Sequence, residues 1–405
     1  MSDDHRSVVR RTPYPSSVSQ PVVTPLSPSV VYRSVDADEL DGHYEGRLTG
    51  YSYAREGHPN ADVLAAKLAW LEGLTDSEPI GVVTSSGMAA LSSVVLGLLR
   101  HGDRIVVGSQ LYGRSLRLLG TDLARFGVET MMVDPGDRNA IAAAVDTSTT
   151  MVLVEVVSNP TLRVADVEAL ADRCRHHGAL LVVDNTFTTP RMFRPFAHGA
   201  DIVIHSVTKL LAGHADVTLG YAAARNPDLQ ASLGEAAVTW GLTPSPFDCW
   251  LAERGLHTFE LRYDRAEQTA AALADALAQL DGVVRVLYPG RADHPDRDRA
   301  DRLFGSRTGT VVSLELTGGR DDVNAFLRAA PSIAFAPTLG DVATTISHPA
   351  SSSHRGVDPG ERAQLGITEG LLRISVGIED EELLIAELEE AVAAVASGAG
   401  SRISP

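Results

Sequence analysis

Between residues 80 and 204, short runs rich in Val, Ile and Leu alternate with alanine- and leucine-rich stretches of helical length. The runs cover residues 80–84, 104–107, 129–133, 151–156, 180–183 and 201–204. Strands that are apolar at successive positions are buried on both faces, which predicts a mostly parallel sheet covered by helices. Ligands of such sheets bind at the carboxyl ends of the strands. The residues that follow each run are therefore the candidate site residues.

Two further parts are predicted around this α/β domain, which we place at residues 61–255. Five prolines in residues 12–28 exclude a helix and predict an extended arm within residues 1–60 that lies on a neighbouring subunit. A long helical stretch over 247–277 leads out of the sheet domain. A smaller α+β domain is predicted in residues 256–405, with strands over 283–287, 310–316 and 371–376, helices over 323–329 and 380–396, and a frayed tail after 397.

Composition restricts the partners that a chain of 405 residues with a formal net charge of −17 can have. Nucleic acid and anionic membranes both need clustered Lys and Arg, so neither is expected. No stretch approaches the roughly 20 apolar residues of a membrane span. Cys174 and Cys249 lie far apart without metal-ligand spacing, so we expect no metal site and a reducing, cytoplasmic location.

One lysine, Lys209, follows the run at residues 201–204 and has apolar sequence on both sides. A lysine in this position is partly desolvated, which lowers its pKa and frees its amine to attack a carbonyl group. The alternative is an ordinary solvated cation at the end of a strand. The residues at the neighbouring strand ends help to decide between a reactive, desolvated lysine and an ordinary cation.

Four other strand ends carry polar or aromatic residues. The turn 85–88 opens a helix and either binds an anion or only caps that helix. Tyr112 is a ring-stacking residue or a core tyrosine, and Asn159 is a ligand or a turn residue. Asp184 follows four apolar residues and needs a cationic partner, since an unpaired buried carboxylate is costly. Together with Lys209, this set indicates pyridoxal phosphate, which needs a Schiff-base lysine, a carboxylate for the ring nitrogen and a phosphate site.

Several dispersed motifs in the same order resemble the Cys/Met-metabolism family of pyridoxal-phosphate enzymes, which includes cystathionine γ-synthase, cystathionine γ-lyase, methionine γ-lyase and O-acetylhomoserine sulfhydrylase. The strongest is Asp201-Ile-Val-Ile-His-Ser-Val-Thr-Lys209. The others are Ser85-Ser-Gly-Met88, Leu111-Tyr-Gly113, Val183-Asp-Asn-Thr186, Arg254-Gly-Leu256, His348-Pro-Ala-Ser351 and Leu372-Arg-Ile-Ser-Val-Gly377. The likeness covers residues 51–380. It implies the fold-type I, aspartate-aminotransferase-like architecture for the large domain.

The resemblance also implies roles for individual residues. Lys209 would form the Schiff base and move protons, Asp184 would bind the pyridine nitrogen, and Tyr112 would stack on the ring and act as a catalytic acid. The remaining cofactor contacts would come from Ser86, Gly87, Met88, Asn159, Thr186, Ser206 and Thr208.

For the substrate, the resemblance implies that Arg373 pairs with the α-carboxylate, with Thr338, Leu339 and Tyr53 close by. Tyr53 and Arg55 would reach the cofactor phosphate of a neighbouring subunit. The expected assembly is therefore a homotetramer, a dimer of dimers with shared active sites, acting on a small amino acid.

The chain departs from the family pattern at the substrate end. Ala343 stands where many cystathionine enzymes have an acid, Arg114 replaces the cysteine typical of methionine γ-lyases, and His58 and Asn60 alter the aromatic loop. We therefore expect γ-elimination on an unusual γ-substituted L-amino acid, such as one of secondary metabolism, with γ-replacement as the alternative. A Schiff-base aldolase without pyridoxal phosphate and a non-catalytic binding relative are the hypotheses from other classes.

Overall fold

A seven-stranded sheet dominates the computed structural model of the chain, which describes residues 17–75 and 77–396. Its strands are β1 (Val82–Thr84), β2 (Arg104–Gly108), β3 (Glu129–Val133), β4 (Thr149–Glu155), β5 (Leu180–Asp184), β6 (Ile202–Ser206) and β7 (Gly220–Ala224). The order is β1-β7-β6-β5-β4-β2-β3, and the strands from β6 to β3 all pair in parallel. The carboxyl ends of these strands therefore lie at one edge, as the alternating pattern predicts.

Helices cover this sheet on both faces. The helices are α1 (Ala37–Tyr44), α2 (Pro59–Leu71), α3 (Gly87–Leu98), α4 (Gly113–Arg117), α5 (Arg138–Ala144), α6 (Val167–His177), α7 (Thr189–Met192), α8 (Pro227–Thr239), α9 (Pro246–Leu256), α10 (Phe259–Leu277), α11 (Arg297–Phe304), α12 (Arg320–Ala329), α13 (Pro359–Gln364) and α14 (Glu381–Ala396). On β5, Val182 shares a buried cluster with Val94 of α3, whereas the next residue, Val183, shares another with Leu64 of α2. Burial on both faces explains why the strands are apolar at successive positions.

A second, smaller sheet follows in the sequence. Its five strands are β8 (Val283–Leu287), β9 (Val311–Leu316), β10 (Ala334–Phe335), β11 (Thr345–Ser347) and β12 (Leu371–Ser375), in the order β10-β11-β12-β9-β8. Helices α10, α12 and α14 pack on it through a separate buried cluster that includes Leu273, Phe326 and Leu388. The predicted fold class, a mostly parallel α/β layer with a smaller α+β layer, is confirmed. The β-strand pair β10 and β11 was not predicted.

Two elements differ from the sequence-based expectation. Strand β7 was not predicted, and it lies antiparallel between β1 and β6. The helix predicted over 247–277 is two helices, because the chain breaks between Leu256 and Phe259. The break has a physical reason in Gly255, where a Cβ would lie 2.3 Å from the carbonyl oxygen of Ala212. The Arg262 side chain fills the corner and donates to the Gly255 carbonyl at 2.9 Å.

The described part of the N-terminal arm, residues 17–28, contains neither helix nor strand. It lies on its own chain, where Trp250 Nε1 donates to the Thr24 carbonyl at 2.8 Å and Asn60 Nδ2 donates to the Pro25 carbonyl at 3.0 Å. Contact of the arm with a neighbouring subunit stays a prediction. The expectations for residues 1–16 and 397–405 lie outside the described residues.

Two features of the structure, its cysteines and its helix lengths, bear on the cellular surroundings of the protein. Cys174 and Cys249 are buried and form no disulfide with each other. No helix within residues 17–75 and 77–396 combines the length and apolar character that crossing a bilayer requires. The cytoplasmic location stays a prediction.

We expect Arg262→Met to destabilise the fold by about 2–4 kcal/mol, because buried carbonyl groups lose a charged donor. The guanidinium of Arg262 donates to the carbonyls of Leu210 at 2.9 Å and Leu211 at 3.1 Å, besides Gly255. The measurement is the urea midpoint followed by tryptophan fluorescence. Arg175→Met, at an exposed ion pair, is the control and should change the midpoint little. Equal effects of the two substitutions would contradict this role.

Candidate active site

Lys209 lies three residues beyond the end of β6, in a tight turn. Its backbone N–H donates to the Ser206 carbonyl at 3.1 Å, and its own carbonyl accepts from Gly213 N at 2.8 Å. The side-chain Nζ donates to Thr338 Oγ1 at 3.1 Å. Burial, and then the nearby charge of Arg373, lower the pKa of Lys209 below that of a solvated lysine. The amine is therefore a better nucleophile and base near neutral pH than a surface lysine.

Arg373 on β12 is the second buried cation of this crevice, with only 5% of its surface exposed. It donates through Nη1 to Asn159 Oδ1 at 2.8 Å and through Nη2 to the Thr338 carbonyl. Its Nε has no hydrogen-bond partner, and no carboxylate within the described residues forms an ion pair with it. Burial lowers the pKa of Arg373 to about 10. A buried guanidinium with a free N–H suits a carboxylate ligand.

The loop 338–342 joins these two cations across the two sheets. At Gly340 the backbone has a φ of +82°, and a Cβ there would lie 2.5 Å from Leu210 N. Val342 N donates to the Gly213 carbonyl at 2.9 Å, which fixes the loop on the Lys209 turn. Leu339 is buried within the same loop, with 7% of its surface exposed. Only glycine permits so close an approach with a positive φ.

Asp184 ends β5 and belongs to the same edge of the large sheet. Its Oδ1 accepts from Thr186 N at 3.0 Å, while Thr186 Oγ1 accepts from Ser206 N at 2.7 Å, so the ends of β5 and β6 are tied together. Burial raises the pKa of Asp184, and the two Thr186 hydrogen bonds oppose that rise. A cation near this carboxyl group would stabilise its ionised form.

Tyr112 precedes α4 and keeps 41% of its surface exposed, so it is not a packed core tyrosine. Its backbone N–H donates to Glu155 Oε1 at 2.7 Å. Glu155 is the last residue of β4, and the sequence analysis did not single it out as a site residue. Its position at a strand end next to Asp184 was the signal that would have identified it.

The N-terminus of α3 lies at the same edge, where its first backbone N–H groups suit an anion. Ser86 caps the helix by accepting from Ala89 N at 3.0 Å, and the first turn has no acidic residue. Gly87 faces Ser206 so closely that a Cβ would lie 2.7 Å from the Ser206 Cβ. This leaves a cradle of backbone N–H groups, which favours a phosphate. Thr208 is close by in sequence, but its hydroxyl donates to the Leu219 carbonyl at 3.1 Å.

Other predicted residues have contacts away from Lys209. Arg55 lies over the Tyr53 ring at 5.7 Å and pairs with Glu56 at 3.1 Å, and both aromatic and cation are exposed. Met88 contacts the Ser115 hydroxyl through its sulfur at 3.9 Å. Arg114 and Ala343, which depart from the family pattern, are exposed.

Residues 7–393 match the family model described as Cys/Met metabolism PLP-dependent enzyme. The chain belongs to this family. Among its relatives, cystathionine β-lyase of Bacillus subtilis is 39% identical over 85% of this chain and 87% of its own length. Cystathionine γ-synthase of Escherichia coli is 38% identical over 93% of this chain and 94% of its own length. The crystal structure of cystathionine γ-synthase from Xanthomonas oryzae pv. oryzae in complex with aminoacrylate and cysteine has a TM-score of 0.87 at 36% identity, covering 93% and 94% of the two chains.

Members of the Cys/Met metabolism family depend on pyridoxal phosphate, and the residues of this chain fit that cofactor. The α3 cradle suits the phosphate, the amine of Lys209 suits the aldehyde, and the carboxyl group of Asp184 suits the ring nitrogen. Asn159 lies at the same edge, held by Arg373. The architecture is that of the fold-type I enzymes of this family, as the resemblance implied.

A buried hydrogen-bond network supports the strand ends from the opposite face of the sheet, and sequence reasoning missed it. Glu72, directly after α2, accepts from His205 Nε2, and both side chains are 1% exposed. The same carboxylate oxygen accepts from Asn185 Nδ2 at 2.9 Å. Because Asn185 follows Asp184 and His205 precedes Ser206, the network holds the two strand ends that carry cofactor-site residues.

We expect Glu72→Leu to destabilise the protein by roughly 2–5 kcal/mol, because two buried donors lose their acceptor. Glu72→Gln keeps one acceptor oxygen and should cost less than half as much. The measurement is the free energy of urea unfolding, with Glu235→Leu on the exposed side of α8 as control. A Leu variant as stable as the Gln variant would show that the network does not hold the strand ends.

Proposed function

We propose that this enzyme catalyses γ-elimination on a γ-substituted L-amino acid. The observation that carries the proposal is the pair of buried cations, Lys209 and Arg373, which meet at Thr338 without a carboxylate partner among the described residues. One buried amine of lowered pKa is suited to proton transfer. One buried guanidinium is suited to holding a carboxylate at a fixed distance from that amine.

Arg373 binds the α-carboxylate of the substrate in this proposal. Its free Nε–H is available to the ligand, and Asn159 and the Thr338 carbonyl fix the plane of the guanidinium. When bound, pyridoxal phosphate supplies an electron-accepting ring that stabilises negative charge at the Cα of the amino acid. Asp184 keeps that ring protonated, because its carboxylate at the end of β5 would pair with the protonated ring nitrogen.

Lys209 is the base that removes the Cα proton and then a Cβ proton. Its Nζ is held by Thr338, and its lowered pKa favours the neutral, proton-accepting form of the amine. Tyr112 is the acid that protonates the leaving group, because its ring remains exposed at the mouth of the site. The overall reaction consumes one water and releases the protonated γ-substituent, 2-oxobutanoate and ammonia.

γ-Replacement is the second candidate, because the relatives include both kinds of enzyme at equal similarity. L-Methionine γ-lyase of Pseudomonas putida is 38% identical over 87% of this chain, and the cystathionine γ-synthase of E. coli is also 38% identical. In this reaction a thiol adds at Cγ in place of the departed group. The comparisons give no support to an unusual secondary-metabolism substrate, so we propose a sulfur-containing amino acid or an O-acylhomoserine.

The test is a substrate panel of cystathionine, methionine, homocysteine and O-acylhomoserines, with the released 2-oxo acid identified in each case. Dominant 2-oxobutanoate supports γ-elimination, because only cleavage at Cγ yields it. Pyruvate from cystathionine would instead show β-elimination. A new thioether when cysteine is added to an O-acylhomoserine would show γ-replacement.

Two variants test the proposed roles of Lys209 and Arg373 in this assay. Lys209→Ala should abolish turnover, and borohydride should fix the cofactor to Lys209 in the wild type only. Arg373→Lys should lower kcat/KM by roughly a hundredfold, because a lysine cannot make the bidentate contact, while cofactor binding is unchanged. A colourless protein that does not take up pyridoxal phosphate would fit the aldolase or binding-protein hypotheses and overturn the proposal.

We also propose that the enzyme is a homotetramer whose active sites are shared between subunits. Tyr53 and Arg55 are exposed on this chain, and neither contacts Lys209, Ser86 or Gly87. An exposed aromatic and cation next to each other suit the phosphate site of a second copy.

Mixing Arg55→Ala chains with Lys209→Ala chains tests this arrangement. If sites are shared, half of the random dimers are mixed and each regains one site, so activity recovers to about a quarter of wild type. The matched control mixes Lys209→Ala with Asp184→Ala, both of which belong to one chain's site, and should recover nothing. Equal recovery in both mixtures, or none in either, would exclude a shared site.

A further inference from the structure

Glu155 and Asp184 form a pair of carboxyl groups at the edge of the large sheet. They are the last residues of β4 and β5, and they are Cα partners in the parallel register of these strands. Partners in register point to the same face, and neighbouring strands lie about 4.8 Å apart. The two carboxyl groups are therefore neighbours on the cofactor-facing side.

The Glu155 carboxyl group also holds the aromatic residue of the site. Its Oε1 accepts from Tyr112 N at 2.7 Å, which fixes the backbone from which the Tyr112 ring projects. The Glu155 carboxyl group thus lies beside Asp184, the acid of the ring-nitrogen site, and accepts from the backbone of Tyr112, the ring-stacking residue.

Few charges surround the pair. His205 of β6 lies on the opposite face of the sheet but is near enough for its charge to lower the pKa of Asp184. Asp134 and Arg163 line a small cavity with Glu155, but Arg163 is committed to Asp296, with Nη2 at 3.1 Å. The α4 side offers only the Tyr112 N–H. No cation within the described residues forms an ion pair with either carboxyl group.

These surroundings raise the pKa values of both Glu155 and Asp184. Burial, and then the charge of Asp184, raise the pKa of Glu155 well above its usual range. Burial raises the pKa of Asp184 as well. Two carboxylates in contact without a cation cannot both ionise at low cost, so the pair retains a proton at a pH where separate carboxyl groups have lost theirs.

We propose that Glu155 and Asp184 act as a dyad that shares one proton in the cofactor-free chain and gives it up when the pyridine nitrogen of the cofactor arrives. An unprotonated ring nitrogen takes the proton from the dyad. A nitrogen that is already protonated displaces the proton to solvent, because its positive charge stabilises both carboxylates. This inference depends on the cofactor and not on which elimination or replacement reaction the enzyme performs.

Calorimetric titration of the cofactor-free full chain with pyridoxine 5′-phosphate tests the dyad. This analogue has no aldehyde to react with Lys209, and its ring nitrogen is protonated at neutral pH. Repeating the titration in buffers of different ionisation enthalpy counts the protons released. We expect wild type to release about one proton more per site than Glu155→Gln, which keeps the acceptor for Tyr112 N and removes the titrating group.

The affinity gives a second measurement. At a pH that ionises both carboxyl groups, wild type should bind the analogue roughly tenfold more tightly than Glu155→Gln, the equivalent of one pKa unit. Glu129→Gln, at an exposed position on β3, is the control and should match wild type in both measurements. Equal proton release by wild type and Glu155→Gln would overturn the proposal. If the Gln variant does not fold, Asp184→Asn takes its place, and proton release equal to wild type would again overturn it.

Discussion

The burial of two cations in one crevice is the constraint on which the rest of this structure depends. Lys209 and Arg373 are both desolvated, so the pKa values of both fall, and the charge of Arg373 lowers the pKa of Lys209 further. The structure offers them hydroxyl, amide and carbonyl oxygens in place of carboxylates. A carboxylate from the protein would neutralise the cations and close the site. Its absence among the described contacts leaves that place to a ligand.

Holding these cations together requires two separately packed sheets to meet without side chains between them. Lys209 follows β6 of the large sheet, and Arg373 lies on β12 of the small one. Gly340 permits the loop above Lys209 to lie directly on its turn, where a Cβ would lie 2.5 Å from Leu210 N, and Gly213 leaves room for the Arg262 guanidinium. Arg262 then satisfies the carbonyls of Leu210 and Leu211, which a tight turn leaves unpaired. The chemistry of the site is thus a consequence of backbone contact between the two layers.

The sequence analysis predicted features that depend on local sequence patterns, and it missed features that depend on which distant segments pair with each other. The parallel strands were predictable because each is apolar at successive positions, and Asp184 and Lys209 stood out as candidates because each polar side chain follows such a strand, Asp184 at its end and Lys209 three residues beyond. Strand β7 was not, because Gly-Tyr-Ala-Ala-Ala has little β propensity and becomes a strand only through its two neighbours. Glu72 lies 133 residues from His205, so nothing local in the sequence marks it as that residue's partner.

The charges of the site are segregated, and that segregation selects the kind of ligand. Acids lie at the ends of β4 and β5, whereas Lys209 follows β6, the positive end of α3 faces Ser206, and Arg373 reaches the site from β12 of the small sheet. A neutral carbonyl substrate, as an aldolase would bind, satisfies the lysine and leaves the paired carboxyl groups without a cation. A ligand with a protonated ring nitrogen, a phosphate and an amino-acid carboxylate satisfies every group at once. This electrostatic pattern therefore makes pyridoxal phosphate with an amino-acid substrate the complementary occupant of the crevice.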